Sequence, residues 1–229
     1  MTTVMGVNLT NAQLTMMTRL RITEIFCSLQ GETRTVGLPT TFIRLTGCPL
    51  RCQYCDTSYA FQGGTWSEIE PILTQVKNYG THYVTVTGGE PLAQKGCIEL
   101  LQQLCDSGYQ VSLETSGAVD ISMVDNRVIK VVDIKTPGSA EMAKNHWQNI
   151  AMLLPHDQVK FVICDHADYD WAKSIIEQYR LTEVCEVLLS PSYLQQSAQE
   201  LADWIIKDRL PVRFQIQLHK YLWGDEPGR

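Results

Sequence analysis

Apolar runs of strand length alternate with amphipathic segments of helical length along most of the chain. The runs are rich in β-branched residues, which is typical of strands. They predict strands over residues 40–46, 82–87, 110–114, 128–134, 159–164, 184–190 and 212–217. Because these runs are nearly continuous in apolar residues, we expect a parallel sheet that is buried on both faces.

Four amphipathic segments predict helices, because their apolar residues recur with the spacing of one helix face. The first helix is expected to begin near Ser67, where Ser67 and Glu70 have the spacing of a capping box. The second is expected to stop at Gly108. The four apolar faces contain Ile69, Ile72, Leu73 and Val76; Cys97, Leu100, Leu101 and Leu104; Trp171, Ala172, Ile175, Ile176 and Tyr179; Leu201, Trp204, Ile205 and Ile206.

A helix after each strand would give six or seven strand-helix units, arranged as an open sheet or a partial barrel. In either arrangement ligands are expected where the carboxyl ends of the strands meet the following loops. Residues 1–18 are polar and uncharged, and we interpret them as a flexible N-terminal extension. Residues 19–229 contain no evident linker or repeat, so they are expected to form a single domain.

The charge balance and the apolar content exclude several classes of protein. The chain of 229 residues has 19 Lys and Arg against 25 Asp and Glu, a net charge of −6, which favours no nucleic-acid partner. Its apolar stretches are far shorter than the ~20 residues of a membrane-spanning helix, and its N-terminus lacks a secretory signal. The sequence therefore predicts a cytoplasmic protein with no membrane partner, in which the eight cysteines are not disulfides.

Three cysteines form a Cys-x3-Cys-x2-Cys array directly after the strand 40–46: Cys48, Cys52 and Cys55. Thiols this close in sequence can converge on one inorganic centre, because an extended residue spans at most ~3.6 Å. A structural zinc ion would need four ligands, and no fourth Cys or His lies nearby. Three thiolates on a four-iron cluster instead leave one iron open. The other five cysteines are expected to pack as small apolar side chains: Cys27, Cys97, Cys105, Cys164 and Cys185.

Polar motifs follow the next predicted strands. Residues 87–91 (TGGEP) contain two glycines that allow backbone to approach a ligand closely. Residues 114–117 (ETSG) and 133–135 (DIK) end the third and fourth strands. Upstream, residues 24–32 (EIFCSLQGE) and Arg44 offer amide, carboxylate and guanidinium groups. Such a set suits a nitrogen-rich heterocycle that carries a carboxylate, although taken alone it is equally consistent with a polar hairpin loop.

The cysteine array resembles the signature of the radical S-adenosylmethionine (SAM) superfamily. With the SLQGE, CDT, TGGEP, ETSG and QLHKYL segments, the chain resembles the 7-carboxy-7-deazaguanine synthase family over about residues 21–222. The resemblance implies an α/β fold, a partial (β/α)6-type radical SAM barrel with parallel strands, outer helices and a shortened core. It also implies a lyase of queuosine and 7-deazapurine biosynthesis that converts 6-carboxy-5,6,7,8-tetrahydropterin to 7-carboxy-7-deazaguanine and releases ammonia.

The resemblance further implies a [4Fe-4S] cluster, SAM and Mg²⁺ as cofactors. The metal ligands would be Cys48, Cys52 and Cys55 for the cluster and Thr57 for Mg²⁺. The substrate would contact Leu29, Gln30, Gly31, Glu32, Arg44 and Thr87. SAM would contact Tyr54, Asp56, Gly89, Glu90, Ser116, Asp133, Ile134 and Lys135. No side chain is assigned as catalytic, because the radical is carried by the cofactor.

Partners and alternatives complete the expectations. The family implies a small-molecule pterin substrate, a reductant such as flavodoxin or ferredoxin, and a homodimer. His219 and Lys220 near the C-terminus either bind a carboxylate or cap a strand. An alternative enzyme is a glycyl-radical enzyme activase, which shares the cysteine spacing but acts on a protein loop. An alternative of another class is a non-catalytic zinc or iron–sulfur binding module.

Overall fold

Nine strands form one sheet in the computed structural model, which describes residues 18–224, 226 and 228. Their order is β3-β1-β2-β4-β5-β6-β7-β8-β9. Their bounds are β1 (Arg19–Leu29), β2 (Pro39–Leu45), β3 (Thr65–Glu68), β4 (Tyr83–Gly88), β5 (Gln110–Thr115), β6 (Ile129–Asp133), β7 (Gln158–Ile163), β8 (Glu186–Pro191) and β9 (Arg213–Phe214). All pairs from β2 through β9 are parallel, whereas β1 runs antiparallel to both β2 and β3.

The sheet is not closed, because β3 and β9 lie at its two ends. This confirms the expected α/β fold with parallel strands in an open or partial barrel arrangement. The predicted N-terminal extension falls on residues 1–18, of which 1–17 lie outside the described residues. No helix in the described part of the chain has both the length and the apolar character needed to cross a membrane.

The four predicted helices are present, with two further short ones. Their bounds are α1 (Ile69–Tyr79), α2 (Cys97–Asp106), α3 (His166–Gln178), α4 (Leu181–Val184), α5 (Ala198–Asp208) and α6 (Leu218–Trp223). The capping box at Ser67 is wrong, since Ser67 pairs with Leu20 in the sheet and α1 starts after Glu68 without a side-chain cap. The predicted stop at Gly108 is confirmed, because α2 ends just before this residue, whose φ of 85° is left-handed.

The expectation of a helix after every strand is wrong at two places. No helix separates β5 from β6, and only 3₁₀ turns, at residues 137–139, 142–144 and 147–152, separate β6 from β7. The backbone of the connection between β5 and β6 is hydrogen-bonded by the buried side chain of Asn149, which lies in the 3₁₀ turn at residues 147–152. Its amide donates to the carbonyl of Val119 (2.8 Å), and its oxygen accepts from the backbone N–H of Ile121 (3.2 Å). Backbone groups of the connection are thereby satisfied without a helix.

The two faces of the parallel sheet have different chemistry. On β4, Val84 and Val86 belong to the hydrophobic core, which also contains apolar residues of α1 and α2. The intervening Thr85 and Thr87 lie on the opposite, inner face, since side chains alternate along a strand. On β5 the inner position Glu114 is also polar, and it hydrogen-bonds to Thr87 at 3.0 Å. Alternation on the strands therefore builds an apolar outer face and a polar inner one.

A buried ion pair joins β6 to the turn before β7. Lys130 is 2% exposed, and its Nζ lies 3.0 Å from Oδ2 of the fully buried Asp157. The same carboxylate accepts hydrogen bonds from the backbone N–H groups of Lys130 and Leu154, both at 2.8 Å. Because both charged side chains are buried, removing one charge would leave the other uncompensated.

We expect Asp157→Asn to lower the free energy of unfolding by about 3 kcal/mol, because Lys130 would remain buried without its counter-ion. Urea denaturation followed by circular dichroism measures the loss. Asp170→Asn is the matched control, since the ion pair of Asp170 with His166 is exposed and is expected to contribute less than ~1 kcal/mol. Equal losses in the two variants would contradict a structural role for the buried pair.

Candidate active site

One cavity of about 580 Å³ lies against the inner face of the sheet. It brings together every predicted site residue except Glu90 and Ile134. The predicted residues that line it are Leu29, Gln30, Gly31, Glu32, Arg44, Cys48, Cys52, Tyr54, Cys55, Asp56, Thr57, Thr87, Gly89, Ser116, Asp133 and Lys135. Segments that are distant in the sequence, from the end of β1 to the end of β6, therefore share one space.

The cysteine loop begins where β2 ends and is held by the loop that follows β4. Gly47 turns the chain with a φ of 100°, and its carbonyl accepts the backbone N–H of Glu90 at 2.8 Å. The backbone of Gly89 lies so near this loop that an added Cβ would stand 2.7 Å from Cβ of Cys48. Glycine is required there because real Cβ atoms do not approach so closely.

The three thiols of the array all line the cavity. Burial raises the pKa of each, and it raises the pKa of Cys52 to about 11. A bound cation reverses this preference, since metal binding requires the thiolate and releases the proton. The remaining cysteines are free thiols as well, so no disulfide competes for the array among the described residues.

Polar atoms without partners lie next to the cysteine loop. The hydroxyl of Tyr54 and Oδ1 of Asp133 are buried, and no described residue hydrogen-bonds to either. Oδ2 of Asp133 pairs with Lys135 at 2.5 Å, and Nζ of Lys135 lies 5.8 Å from the centre of the Tyr54 ring. Although burial opposes it, the charge of Asp133 raises the pKa of Lys135 above its ordinary range. These unpaired donors and acceptors fit a polar nucleoside and amino-acid ligand such as SAM.

Glu90 and Ile134 are placed away from the cavity lining. Glu90 is fully buried, and its carboxylate accepts hydrogen bonds from the backbone N–H of Ser116 (2.7 Å) and the hydroxyl of Thr115 (2.9 Å). It also accepts the backbone N–H of Leu92 at 2.9 Å. Glu90 thus fixes the end of β5, where Ser116 lines the cavity, while Ile134 packs in the hydrophobic core.

The segment that follows β1 also lines the cavity, through Gln30, Gly31 and Glu32. The amide of Gln30 donates to Glu114 and to Thr85, both at 3.2 Å, and its oxygen accepts the backbone N–H of Glu32 at 2.9 Å. Glu114 also accepts the hydroxyl of Thr87 at 3.0 Å. Burial and the charge of Glu32 raise the pKa of Glu114. An amide and two carboxyl groups are therefore arranged side by side, as a ring edge with several nitrogens would require.

A cluster of charged and polar side chains surrounds Glu32 in the same cavity. Its carboxylate pairs with Lys160, accepts from the amide of Gln217 at 3.0 Å and lies 3.9 Å from Nδ1 of His219. Burial alone would raise the pKa of Glu32, but Lys160 and His219 outweigh burial and lower it to about 2. The carboxylate of Glu32 is therefore charged at neutral pH.

Thr57 lies at the edge of this cluster. Its hydroxyl donates to Oδ1 of Asp56 at 2.8 Å, and Oδ2 of Asp56 accepts from Gln217 at 2.9 Å. One ligand atom from each of Glu32, Asp56 and His219 can be chosen so that all lie within 4.8 Å of one another. The hydroxyl of Thr57, bonded to Asp56, therefore lies beside a group of side chains that could together hold a metal ion.

Three polar cavity residues were not assigned as site residues from the sequence alone, namely Glu114, Lys160 and Gln217. Two of them could have been found from local patterns, because Lys160 is the only charge inside the apolar β7 and Glu114 is the first residue of the ETSG segment. Gln217 depends on the placement of α6, which no local pattern encodes. His219, for which the sequence left carboxylate binding or strand capping open, lies in α6 and not at a strand end, and it lines the cavity.

Comparison with known proteins gives three findings. Residues 42–131 match the family described as Radical SAM superfamily. The 7-carboxy-7-deazaguanine synthases of Chlorobaculum tepidum and Koribacter versatilis are 43% and 39% identical to the chain, each over 90% of it and over 96% and 98% of their own lengths. The crystal structure of QueE from Escherichia coli superposes with a TM-score of 0.72 at 21% identity, covering 87% of this chain and 94% of that one.

The pairing of Glu32 predicts a pH dependence of stability. Because its folded pKa of about 2 lies below the ordinary value of 4.5, it stabilises the fold above pH 4.5, and this contribution is lost as the pH falls towards 2. Between pH 5 and pH 2.5 the wild type should lose about 2 kcal/mol more than Glu32→Gln, less than the full shift implies because 19% of the side chain is exposed.

Urea denaturation of cluster-free protein at several pH values measures this difference without a contribution from cluster loss. Glu70→Gln is the matched control, since Glu70 is exposed on α1, and it should follow the wild type. Parallel pH profiles for Glu32→Gln and the wild type would show that Lys160 and His219 do not hold Glu32 ionised.

Proposed function

The chain belongs to the 7-carboxy-7-deazaguanine synthase family of radical SAM enzymes, and from this premise we propose that it converts 6-carboxy-5,6,7,8-tetrahydropterin to 7-carboxy-7-deazaguanine and ammonia. The single observation that carries the proposal is the shared cavity, which is lined both by the three thiols of the cysteine array and by Gln30 and Glu114. Neither an activase of protein radicals nor a non-catalytic metal module requires Gln30 and Glu114 beside the thiols. The comparisons do not favour these alternatives.

The cluster and SAM of this family, when bound, supply the one-electron chemistry that starts the reaction. Cys48, Cys52 and Cys55 would hold the cluster, since three thiolates leave one iron free for SAM. Tyr54 and Asp133 would meet SAM through the two polar atoms that have no partner among the described residues.

The chain's own residues would bind and orient the pterin. Glu114, which accepts hydrogen bonds from Gln30 and Thr87, would present its carboxyl group to the edge of the ring. Arg44 lines the cavity and would receive the substrate carboxylate through its forked guanidinium. Fixing both ends of the ring holds one carbon near the radical source, and such positioning is the protein's main contribution to catalysis.

Further parts of the proposal rest on the family. Thr57 would ligate Mg²⁺, with Asp56 beside it, and the ion would hold the substrate carboxylate. Residues 19–229 would act as one radical SAM domain in a cytoplasmic homodimer. A small acidic electron carrier such as flavodoxin or ferredoxin would supply the electron, because no redox group other than the cluster is expected in the chain.

Anaerobic reconstitution tests the reaction. The wild type should convert the carboxylated pterin to the deazapurine in the presence of SAM, reductant and Mg²⁺. Cys52→Ser should bind less iron and form no product, because a cluster ligand is lost. Cys27→Ser lies outside the array and is the matched control, with iron content and product formation kept. A reconstituted wild type that cleaves SAM but forms no deazapurine would overturn the proposed substrate.

The proposed magnesium ligand is tested by Thr57→Ala. Loss of one oxygen ligand should raise the Mg²⁺ concentration for half-maximal activity by about tenfold, equivalent to about 1.4 kcal/mol of binding. Iron content should stay at the wild-type level. Ser58→Ala replaces the neighbouring exposed hydroxyl and should change neither quantity. Loss of the cluster in Thr57→Ala would mean that Thr57 supports the cysteine loop and not the ion.

A further inference from the structure

The Glu24 side chain has no role in the reaction described above, although it lies beside Arg44. A β-bulge in β1 brings the two together. Ile22 pairs with Leu45 of β2, but Glu24 pairs with Arg44, so Thr23 is an extra residue in this ladder. In a regular ladder Thr23 would stand opposite Arg44, because antiparallel strands pair one residue with one residue. Bulges are common next to active sites, where they re-aim a side chain.

Glu24 holds one defined edge of the Arg44 guanidinium. Nε of Arg44 lies 2.6 Å from Oε1 of Glu24, and the same oxygen accepts the hydroxyl of Tyr59 at 2.8 Å. Partial burial and this hydrogen bond raise the pKa of Tyr59 to about 12 against the opposing effect of Arg44, so the hydroxyl remains a donor at neutral pH. Both members of the ion pair are mostly buried, with 16% and 23% of their side chains exposed.

Two aromatic rings further restrict the orientation of the Arg44 guanidinium. Cζ of Arg44 lies 5.7 Å from the ring centre of Phe26 and 5.8 Å from that of Tyr59. Phe26 is itself stacked on Phe42 of the neighbouring strand at 5.0 Å. A long and flexible side chain is thereby restricted to one orientation before any ligand binds.

The two terminal nitrogens of Arg44 are left available. No described residue accepts a hydrogen bond from Nη1 or Nη2 of Arg44, although Arg44 lines the cavity. A planar guanidinium held at Nε presents this Nη edge as a fork for one carboxylate. A ligand without a carboxylate would leave the fork unpaired.

We propose that Glu24, placed by the bulge at Thr23, is a positioning residue that aims the Nη edge of Arg44 at the substrate carboxylate. Glu24 thereby makes the site selective for a carboxylated pterin over an uncarboxylated one. The inference rests on the proposed function and deepens it. It assigns the specificity to the Glu24–Arg44 pair, of which only Arg44 needs to contact the substrate. Tyr59 also positions Glu24, because its hydroxyl donates a second hydrogen bond to the same carboxylate oxygen.

The test compares two ligands on the cluster-loaded enzyme with SAM and without reductant, so that binding is measured without turnover. The ligands are tetrahydropterin with and without the 6-carboxylate. Glu24→Ala should weaken binding of the carboxylated ligand by about tenfold and leave the uncarboxylated one within about twofold, because only the first uses the aimed fork. Glu24→Gln should recover most of the loss, since its amide oxygen still accepts from Nε.

Steady-state kinetics provide an independent readout. In Glu24→Ala the KM for the carboxylated pterin should rise by about tenfold while kcat and the KM for SAM stay within about twofold. Tyr59→Phe should show the same selective effect at a smaller size, about threefold, and it tests the proposal even where Glu24→Ala fails to fold. Glu70→Gln, on the exposed side of α1, is the matched control and should change none of these quantities.

Each other result of the binding test contradicts a specific part of the proposal. Equal losses for both ligands would make Glu24 a structural residue of β1. Tighter binding of the carboxylated ligand by Glu24→Ala would mean that Glu24 competes with the substrate for Arg44. A wild type that discriminates between the ligands, together with a Glu24→Ala that discriminates equally, would refute only the inference. A wild type that binds neither ligand would refute the proposed function and the inference with it.

Discussion

The close packing of two glycine-containing loops at the carboxyl ends of β2 and β4 is the constraint on which the site depends. Gly89 can lie against the cysteine loop only because it has no Cβ, and Gly47 offers its carbonyl to the next residue of the same motif. The glycine motif also fixes the loop after β5, because the carboxylate of Glu90 accepts the backbone N–H of Ser116. The cysteine loop, the glycine motif and the end of β5 are therefore one rigid unit.

Three ion pairs hold charged residues of the cavity: Glu32 with Lys160, Asp133 with Lys135 and Arg44 with Glu24. Glu114 has no ion-pair partner among the described residues and is held by hydrogen bonds from Gln30 and Thr87. Asp133 and Arg44 nevertheless keep atoms without a protein partner among the described residues, and these atoms lie in residues that line the cavity. Pairing thus fixes the side chains while leaving hydrogen-bonding capacity for ligands, which is the requirement for a preorganised site.

Local patterns predicted most of the parallel strands, the four main helices and the cysteine loop, because each is determined by residues that are near in sequence. They did not predict β1, whose charged and polar positions, such as Arg21 and Glu24, hide the apolar alternation. They also misread Ser67, because a capping box and a short edge strand share the same residues and only pairing with β1 decides between them. Lys160 and Glu114 reach the same cavity through strand register, which depends on the whole sheet.

The shortened helical layer explains how a small chain encloses a site of this size. Where helices are missing, buried side chains from elsewhere satisfy the backbone: Asn149, from the turn before β7, bonds the β5–β6 connection, and Asp168, in the first turn of α3, bonds the segment that follows β6. Asp168 accepts the backbone N–H groups of Gly138 (2.8 Å) and Cys164 (3.0 Å). The backbone N–H of Gln53 in the cysteine loop in turn donates to the carbonyl of Ser139, at 3.1 Å. A single carboxylate thus links α3 to the segment that follows β6 and, through it, to the cysteine loop. Single buried carboxylates and amides can replace a helix in this way because each accepts or donates several backbone hydrogen bonds at once, and they occupy far less volume than a helix does.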